Sequence, residues 1–344
     1  MEIYFIMLLL VFIFSFIENK SLQKKLMFII FFVVSSLRYI YLGADTKNYI
    51  NYFKYFSTKS FKDLLSDKLQ IERGFAILNK IIGLINNNER YFIVITSIIV
   101  LILATKFIYN NSRIPWFSFY LFLSLGYYIS SLNILRQMIA ILILVNSLDY
   151  IRNRDIKKFL LFYVIAVSIH TTAAIFILLY FVYPLKINLK YLGLSLVTCV
   201  FLYLFSNKIL GFLFSLSAKY DSRYSDNLRA GNGKGMLLML AGVLFGGYFL
   251  EKVKIKKDKN YIFYHMLNIS VILQIVSLKF SLFVRVVRYF SIGMIIFIPN
   301  IVYKIKGQKM RLLVILITCI VTCYYLYMIL NNDLSNVVPY KFLF

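Results

Sequence analysis

Acidic residues are scarce in this chain of 344 residues: 14 Asp and Glu stand against 39 Lys and Arg, a formal net charge of +25. Charge of either sign is thin, at 15% where a soluble domain carries about 25%, and there are only 4 prolines, 3 cysteines, 2 histidines and 1 tryptophan. Each shortage excludes something. Cys199, Cys319 and Cys323 are odd in number and lie in apolar runs, without the pairing of a disulfide framework or the spacing of a zinc site. No DxD-like acidic motif and no Gly-rich nucleotide loop is visible, so a metal-bound nucleotide sugar is not expected, and no metal or other cofactor is predicted. The basic residues are scattered between apolar runs, which argues against a nucleic-acid partner and for a membrane surface.

What is abundant is apolar: 61% of the residues, with a mean hydropathy of +0.77. The apolar runs are roughly 16 to 20 residues long, the length of helix that crosses about 30 Å of hydrocarbon. The sequence therefore predicts an all-α, polytopic transmembrane helical bundle in one integral membrane domain, 1–344. Its first run, IYFIMLLLVFIFSFI, has Glu2 before it and no small-residue cleavage site after it, so it is expected to stay as the first span.

Four Lys/Arg-rich loops, at 18–25, 152–158, 251–260 and 304–311, are expected to stay in the cytoplasm. With the N-terminus outside, spans at about 26–42, 91–109, 115–134 and 137–151 alternate correctly, leaving 43–90 as an external loop with amphipathic helices. The segment 159–183 disturbs the parity if it is one helix. As a re-entrant hairpin turning at His170, Thr171 and Thr172 it restores it, and spans at about 191–206, 235–250, 261–278, 289–303 and 312–330 follow, with a second external loop at 207–234. The expected total is about 10 spans plus the hairpin, whose non-helical backbone requires a cavity or protein around it.

This topology collects Arg38, Asp45, Glu72, Arg73, Arg136, Arg223, Arg229, Arg285 and Arg288 on the external side, with His170 pointing the same way. Simpler roles compete. Asp45 precedes the stripe Tyr49, Tyr52, Phe53, Phe56 and equally suits a helix N-cap. Glu72 opens a helix with Phe75, Leu78, Ile82 and Ile85 on one face, and the helix dipole would account for it. Arg136 suits an interfacial anchor. His170 suits a buried imidazole bonded to Thr171 or Thr172. Arg285 and Arg288, one turn apart in VRVVRYF and followed by Tyr289, are embedded in apolar sequence, where function outweighs anchoring. The loop 219–235 offers Tyr220 and Tyr224 as stacking faces for sugar.

Arginine forks match phosphate oxygens, and aromatic faces with acids match carbohydrate; a lipid diphosphate carrying sugars needs both. At this point the sequence resembles the EpsG-type family of Wzy-like polysaccharide polymerases. The resemblance runs in order through Arg38 with GAD (43–45) and Tyr49, ERGFAILNKI (72–81), LRQMIA (135–140), IHTTAAIF (169–176), KYDSRY (219–224), VRVVRYF (284–290) and PYKFLF (339–344). One departure is Arg73, where a proline is expected. The resemblance implies a GT-C-like fold and a metal-independent glycosyltransferase, multi-pass in the bacterial cytoplasmic membrane with an outward active site. Its substrate would be an undecaprenyl-diphosphate-linked oligosaccharide, polymerised into capsular or exopolysaccharide, with export and chain-length proteins as partners. Asp45, Arg136 and His170 become the catalytic candidates. Arg38, Tyr49, Glu72, Tyr220, Arg223, Arg285, Arg288 and Tyr289 become the substrate-binding ones. Two other classes compete: a flippase of the same lipid, which would need charges along a path through both leaflets, and a membrane O-acyltransferase using an intramembrane histidine.

Overall fold

The computed structural model describes residues 1–66, 69, 71–215, 233–251, 258–280 and 283–343. The structure is all-helical, with no strand among the described residues, as expected where backbone polar groups must be satisfied within each segment. An isolated antiparallel bridge pairs Arg38 with Phe342.

One compact unit comprises Met1–Ala174 together with Val302–Phe344. Its helices are α1 (Glu2–Phe14), α2 (Lys20–Ser36), α3 (Thr46–Thr58), α4 (Phe61–Ser66), α5 (Arg73–Ile85), α6 (Glu89–Asn111), α7 (Pro115–Ser124), α8 (Tyr127–Asn133), α9 (Leu135–Val145), α10 (Leu148–Arg152) and α11 (Ile156–Ile169). The second unit, Ile175–Ile301, holds α12 (Ile177–Val182), α13 (Leu189–Ser215), α14 (Lys234–Glu251), α15 (Asn260–Ser277), α16 (Phe283–Ser291) and most of α17 (Met294–Tyr303); α18 (Gln308–Asn332) returns to the first.

Four stretches of described helix are long and apolar enough to cross a membrane: Glu89–Asn111, Leu189–Ser206, Phe283–Tyr303 and Gln308–Asn332. Along α18, Leu316, Ile317, Ile320 and Val321 are exposed, an apolar surface suited to lipid. Other runs expected as continuous spans are broken. The 115–134 run divides at Gly126, whose φ of +79° ends α7 and starts α8. The 137–151 run divides at Asn146 and Ser147, where Asn146 donates to the carbonyls of Leu142 (2.8 Å) and Leu103 (3.0 Å). The expected span at 289–303 falls within the Phe283–Tyr303 stretch, although a turn separates α16 from α17 inside it, and α2 stops at Ser36, short of residue 42. Hydropathy counts length and composition and does not see these breaks.

In the first unit α2 packs on α6, α3 on α5, α9 on α6 and α11, and α1 and α18 on α7. Phe31 and Tyr128 form its centre, ring centroids 4.9 Å apart, and the Tyr128 hydroxyl donates to the Phe31 carbonyl at 2.8 Å. In the second unit α13, α14 and α16 surround α15. Within it the buried His265 meets the Tyr191 hydroxyl at 2.9 Å, and Asn268 donates to Tyr191 and Ser195. All three cysteines are free thiols.

Helix α11 ends at His170, which is extended (φ −154°, ψ 113°), and the chain continues as a 3-10 turn over Thr171–Phe176. The break falls on the residues that interrupt the apolar run. Beyond it the Tyr163 hydroxyl donates to the Ala174 carbonyl at 3.1 Å, which a continuous helix would not allow.

Candidate functional site

Three segments distant in sequence meet beside α5. Glu72 occupies the N-cap position of α5 with extended backbone (φ −64°, ψ 134°), yet its side chain caps nothing. Its Oε2 accepts from Nη1 of Arg136, in the first turn of α9. Its Oε1 accepts from the backbone N–H (3.0 Å) and hydroxyl (3.1 Å) of Thr171. His170 Nδ1 lies 3.3 Å from that same oxygen, close enough for an ion pair but off the line of a hydrogen bond, since Nδ1 is buried without a hydrogen-bond partner. Glu72 thus stands at the helix N-terminus, where the dipole favours a carboxylate, and adds long-range pairing to it, while Thr171 serves Glu72, not His170.

The Arg136 guanidinium also stands over two rings, 5.9 Å from the Tyr49 centroid and 5.6 Å from that of Phe75, within cation–π range. Its Nε is buried and unbonded. The three side chains are 21% (Arg136), 15% (Glu72) and 19% (His170) exposed, sheltered but open to a ligand. Burial raises the Glu72 pKa, but the His170 ring, the Thr171 N–H and the Arg136 charge outweigh it and hold the carboxyl at about 2.

Close approach of α5 to α11 makes this possible. A Cβ at Gly74 would lie 2.2 Å from Ser168 Oγ and 2.6 Å from its carbonyl oxygen. Arg73, where a proline was expected, is the first residue of α5, the position where proline is tolerated but not required.

Asp45 sits at the start of α3, one turn before Tyr49. Its carboxylate makes no cap bond, so the simple capping role does not hold. The loop before it docks on the end of α8: Gly43, at φ +104°, is held where a Cβ would lie 2.7 Å from the Leu132 carbonyl. The Asp45 N–H donates to Asn133 Oδ1 at 2.9 Å, three residues before Arg136. Arg38 is 3% exposed and donates to the same Leu132 carbonyl at 2.5 Å, so its guanidinium is engaged by backbone.

Arg285, Arg288 and Tyr289 lie on α16 in the second unit, Arg285 exposed and Tyr289 fully buried. Tyr220 and Arg223 lie outside the described residues. Sequence reasoning did not assign Thr171, Phe75 or Asn133 to the site; the only available signal was their place inside IHTT, ERGF and the residues before LRQ. Among the described residues no group of three or more His, Cys, Asp or Glu is arranged to hold a metal ion.

A carboxylate kept ionised beside an imidazole, with a guanidinium on its other oxygen, can position a general base and hold an anion. No curated protein and no solved structure matches the chain. The EpsG family profile matches residues 22–342, which contain every residue of this cluster; the chain belongs to the EpsG family, that of Wzy-like polysaccharide polymerases.

Proposed function

We propose that the protein is a membrane glycosyltransferase that joins undecaprenyl-diphosphate-linked oligosaccharide repeat units into capsular or exopolysaccharide on the outer face of the bacterial cytoplasmic membrane. The observation that carries this reading is the convergence of Glu72, Arg136 and His170 from three separate family motifs. An acceptor hydroxyl attacks the anomeric carbon of the donor sugar, its proton passing to Nε2 of His170. The bond from that carbon to the diphosphate oxygen breaks, and undecaprenyl diphosphate departs with the electron pair. Glu72, ionised throughout, offsets the positive charge that forms on His170, while Arg136 takes charge from the leaving diphosphate. In this scheme arginine supplies the electrostatic stabilisation, and the reaction is metal-independent.

Asp45, a catalytic candidate from sequence, becomes a ligand for sugar hydroxyls, because among the described residues no partner orients its carboxylate. Arg285 and Arg288, on the second unit, remain proposed ligands for a phosphate group, separately from the Glu72 cluster. Arg38 becomes a positioning residue that holds the Asp45 loop on Leu132. A bundle of about ten spans with a re-entrant element at His170, of GT-C type, is the arrangement we propose around this site.

The test is a lipid-linked sugar profile of cells carrying His170→Gln or Arg136→Ala. Long polymer should disappear at normal protein abundance, and single repeat units should accumulate on the lipid carrier, accessible from outside. Accumulation on the cytoplasmic face would make the protein a flippase. Unchanged polymer with lost acyl decoration would make it an acyltransferase.

A further inference from the structure

A groove where α2 begins and α6 ends plays no part in the proposed chemistry. The two helices run antiparallel: Arg90, at the start of α6, donates to the carbonyl of Ser36 at the end of α2 (3.0 Å). The lysine-rich start of α2 therefore meets the last turns of α6. The groove has a volume of about 420 Å³ and is walled by Ser21, Lys24, Lys25, Phe28, Ile29 and Thr105, a size within the roughly 300–1,000 Å³ of small-molecule sites.

Among the described residues its lysines lack a counter-charge, and two hydroxyls beside them lack hydrogen-bond partners. The Lys24 ammonium stands 5.1 Å from the centroid of Tyr109, and neither Lys24 nor Lys25 has a carboxylate partner among the described residues. Thr105 is 5% exposed and its hydroxyl has no hydrogen-bond partner; one turn on, the Tyr109 hydroxyl is buried and equally unpartnered. Threonine within a helix commonly bonds back to the preceding turn, as Thr96 does on this same helix at 2.7 Å. A hydroxyl left unpaired in the interior costs roughly 1–3 kcal/mol, so the exception at Thr105 points to an absent acceptor. Phe28 and Ile29 line the groove further along α2, one turn beyond the lysines.

We infer that this groove seats the phosphate headgroup of an anionic phospholipid from the leaflet on the lysine-rich side. Lys24 and Lys25 meet the phosphate oxygens, the Thr105 hydroxyl donates to one of them, and the acyl chain lies along Phe28 and Ile29. The site is separate from the Glu72 cluster and does not rest on the proposed reaction.

Native mass spectrometry of the full chain, titrated with phosphatidylglycerol or phosphatidylcholine, tests it. Wild type should retain phosphatidylglycerol in preference. Lys24→Gln with Lys25→Gln should weaken that retention by roughly fivefold per lysine, whereas Lys306→Gln with Lys309→Gln, exposed lysines of another basic loop, should leave it unchanged. Thr105→Val, which keeps charge and shape, should weaken it by roughly two- to tenfold and serves if the double lysine variant does not fold. Equal losses in both lysine pairs would reduce the effect to diffuse surface attraction and overturn the proposal. Absence of a phosphatidylglycerol preference in wild type, or full retention in Thr105→Val, would overturn it as well.

Discussion

Glu72 decides the electrostatics of the candidate site, because a single carboxylate serves Arg136, Thr171 and His170 at once. Its folded pKa of about 2 lies below the ordinary 4.5. A depressed carboxylate stabilises the fold fully above its unfolded pKa and ceases to do so as pH falls through the folded value. The stability lost in Glu72→Gln should therefore be a few kcal/mol at neutral pH, at about 1.4 per pK unit, and should shrink between pH 4.5 and about 2. Thermal unfolding of the detergent-solubilised protein across that range checks it; a gap independent of pH would mean that ionisation of Glu72 does not matter. Arg136 allows a second test. Lysine keeps the charge but loses the planar fork that reaches Glu72 while lying over Tyr49 and Phe75. Arg136→Lys should lower polymer synthesis about 10- to 150-fold, the worth of one charge-assisted hydrogen bond in the transition state. Wild-type polymer levels in that variant would reduce Arg136 to a membrane anchor.

At the scale of elements, the contact of α5 with α11 keeps Glu72 within reach of His170, and it depends on Gly74. Gly74→Ala places a methyl against the Ser168 backbone, where overpacking costs typically 1–3 kcal/mol. The helices must separate and the Glu72–Thr171 bonds lengthen. Gly193→Ala, on α13 with open space around it, should gain about 0.8–1.0 kcal/mol of helix propensity instead. Melting temperatures that move the same way in both variants would show that the close approach is unimportant. The same elements mark how far the sequence was legible. Helical class, the amphipathic faces of α3 and α5 and the helix break at His170 were readable because each follows from local pattern: a stripe at helical spacing, or polar residues in an apolar run. Tyr49, Phe53 and Phe56 are indeed buried, but Ile85, placed on the same buried face as Phe75, is 67% exposed. The interruptions at Gly126 and Asn146 were not readable: the Asn146 side chain bonds the Leu103 carbonyl of a different helix, a contact that local pattern does not encode. Glu72, Arg136 and His170 could be nominated singly from composition and family resemblance. Their pairing across 64 and more positions is a product of packing that no local spacing encodes.

At the scale of the whole molecule, the first unit is closed by segments from opposite parts of the chain. Residues 333–343 run along the loop 37–44: the N–H groups of Tyr39, Gly43 and Ala44 donate to the carbonyls of Lys341 (2.8 Å), Asn336 (3.0 Å) and Ser335 (2.9 Å), and Leu343 N–H returns to Leu37 (3.0 Å). The Tyr4 and Tyr340 hydroxyls add bonds to the Val337 and Val34 carbonyls. Asp333 shapes the strap by accepting from the amides of Val337 and Val338 at 2.9 and 3.0 Å. The loop held in this way carries Asp45, whose own N–H is fixed from the other side by Asn133. Two separate clamps thus position one acidic residue. Removing residues 334–344 should release the first clamp and leave the second. In hydrogen exchange the Tyr39, Gly43 and Ala44 amides should lose protection, because their acceptors all lie on the strap, while Thr46, bonded to the Gly43 carbonyl within the loop, should change less. Polymer synthesis should fall although the apolar helices still insert, since the strap lies outside α18. Unaltered exchange at Gly43 and Ala44 would show that the loop keeps its shape unaided, and the order around Asp45 would then rest on Asn133 and Arg38 alone.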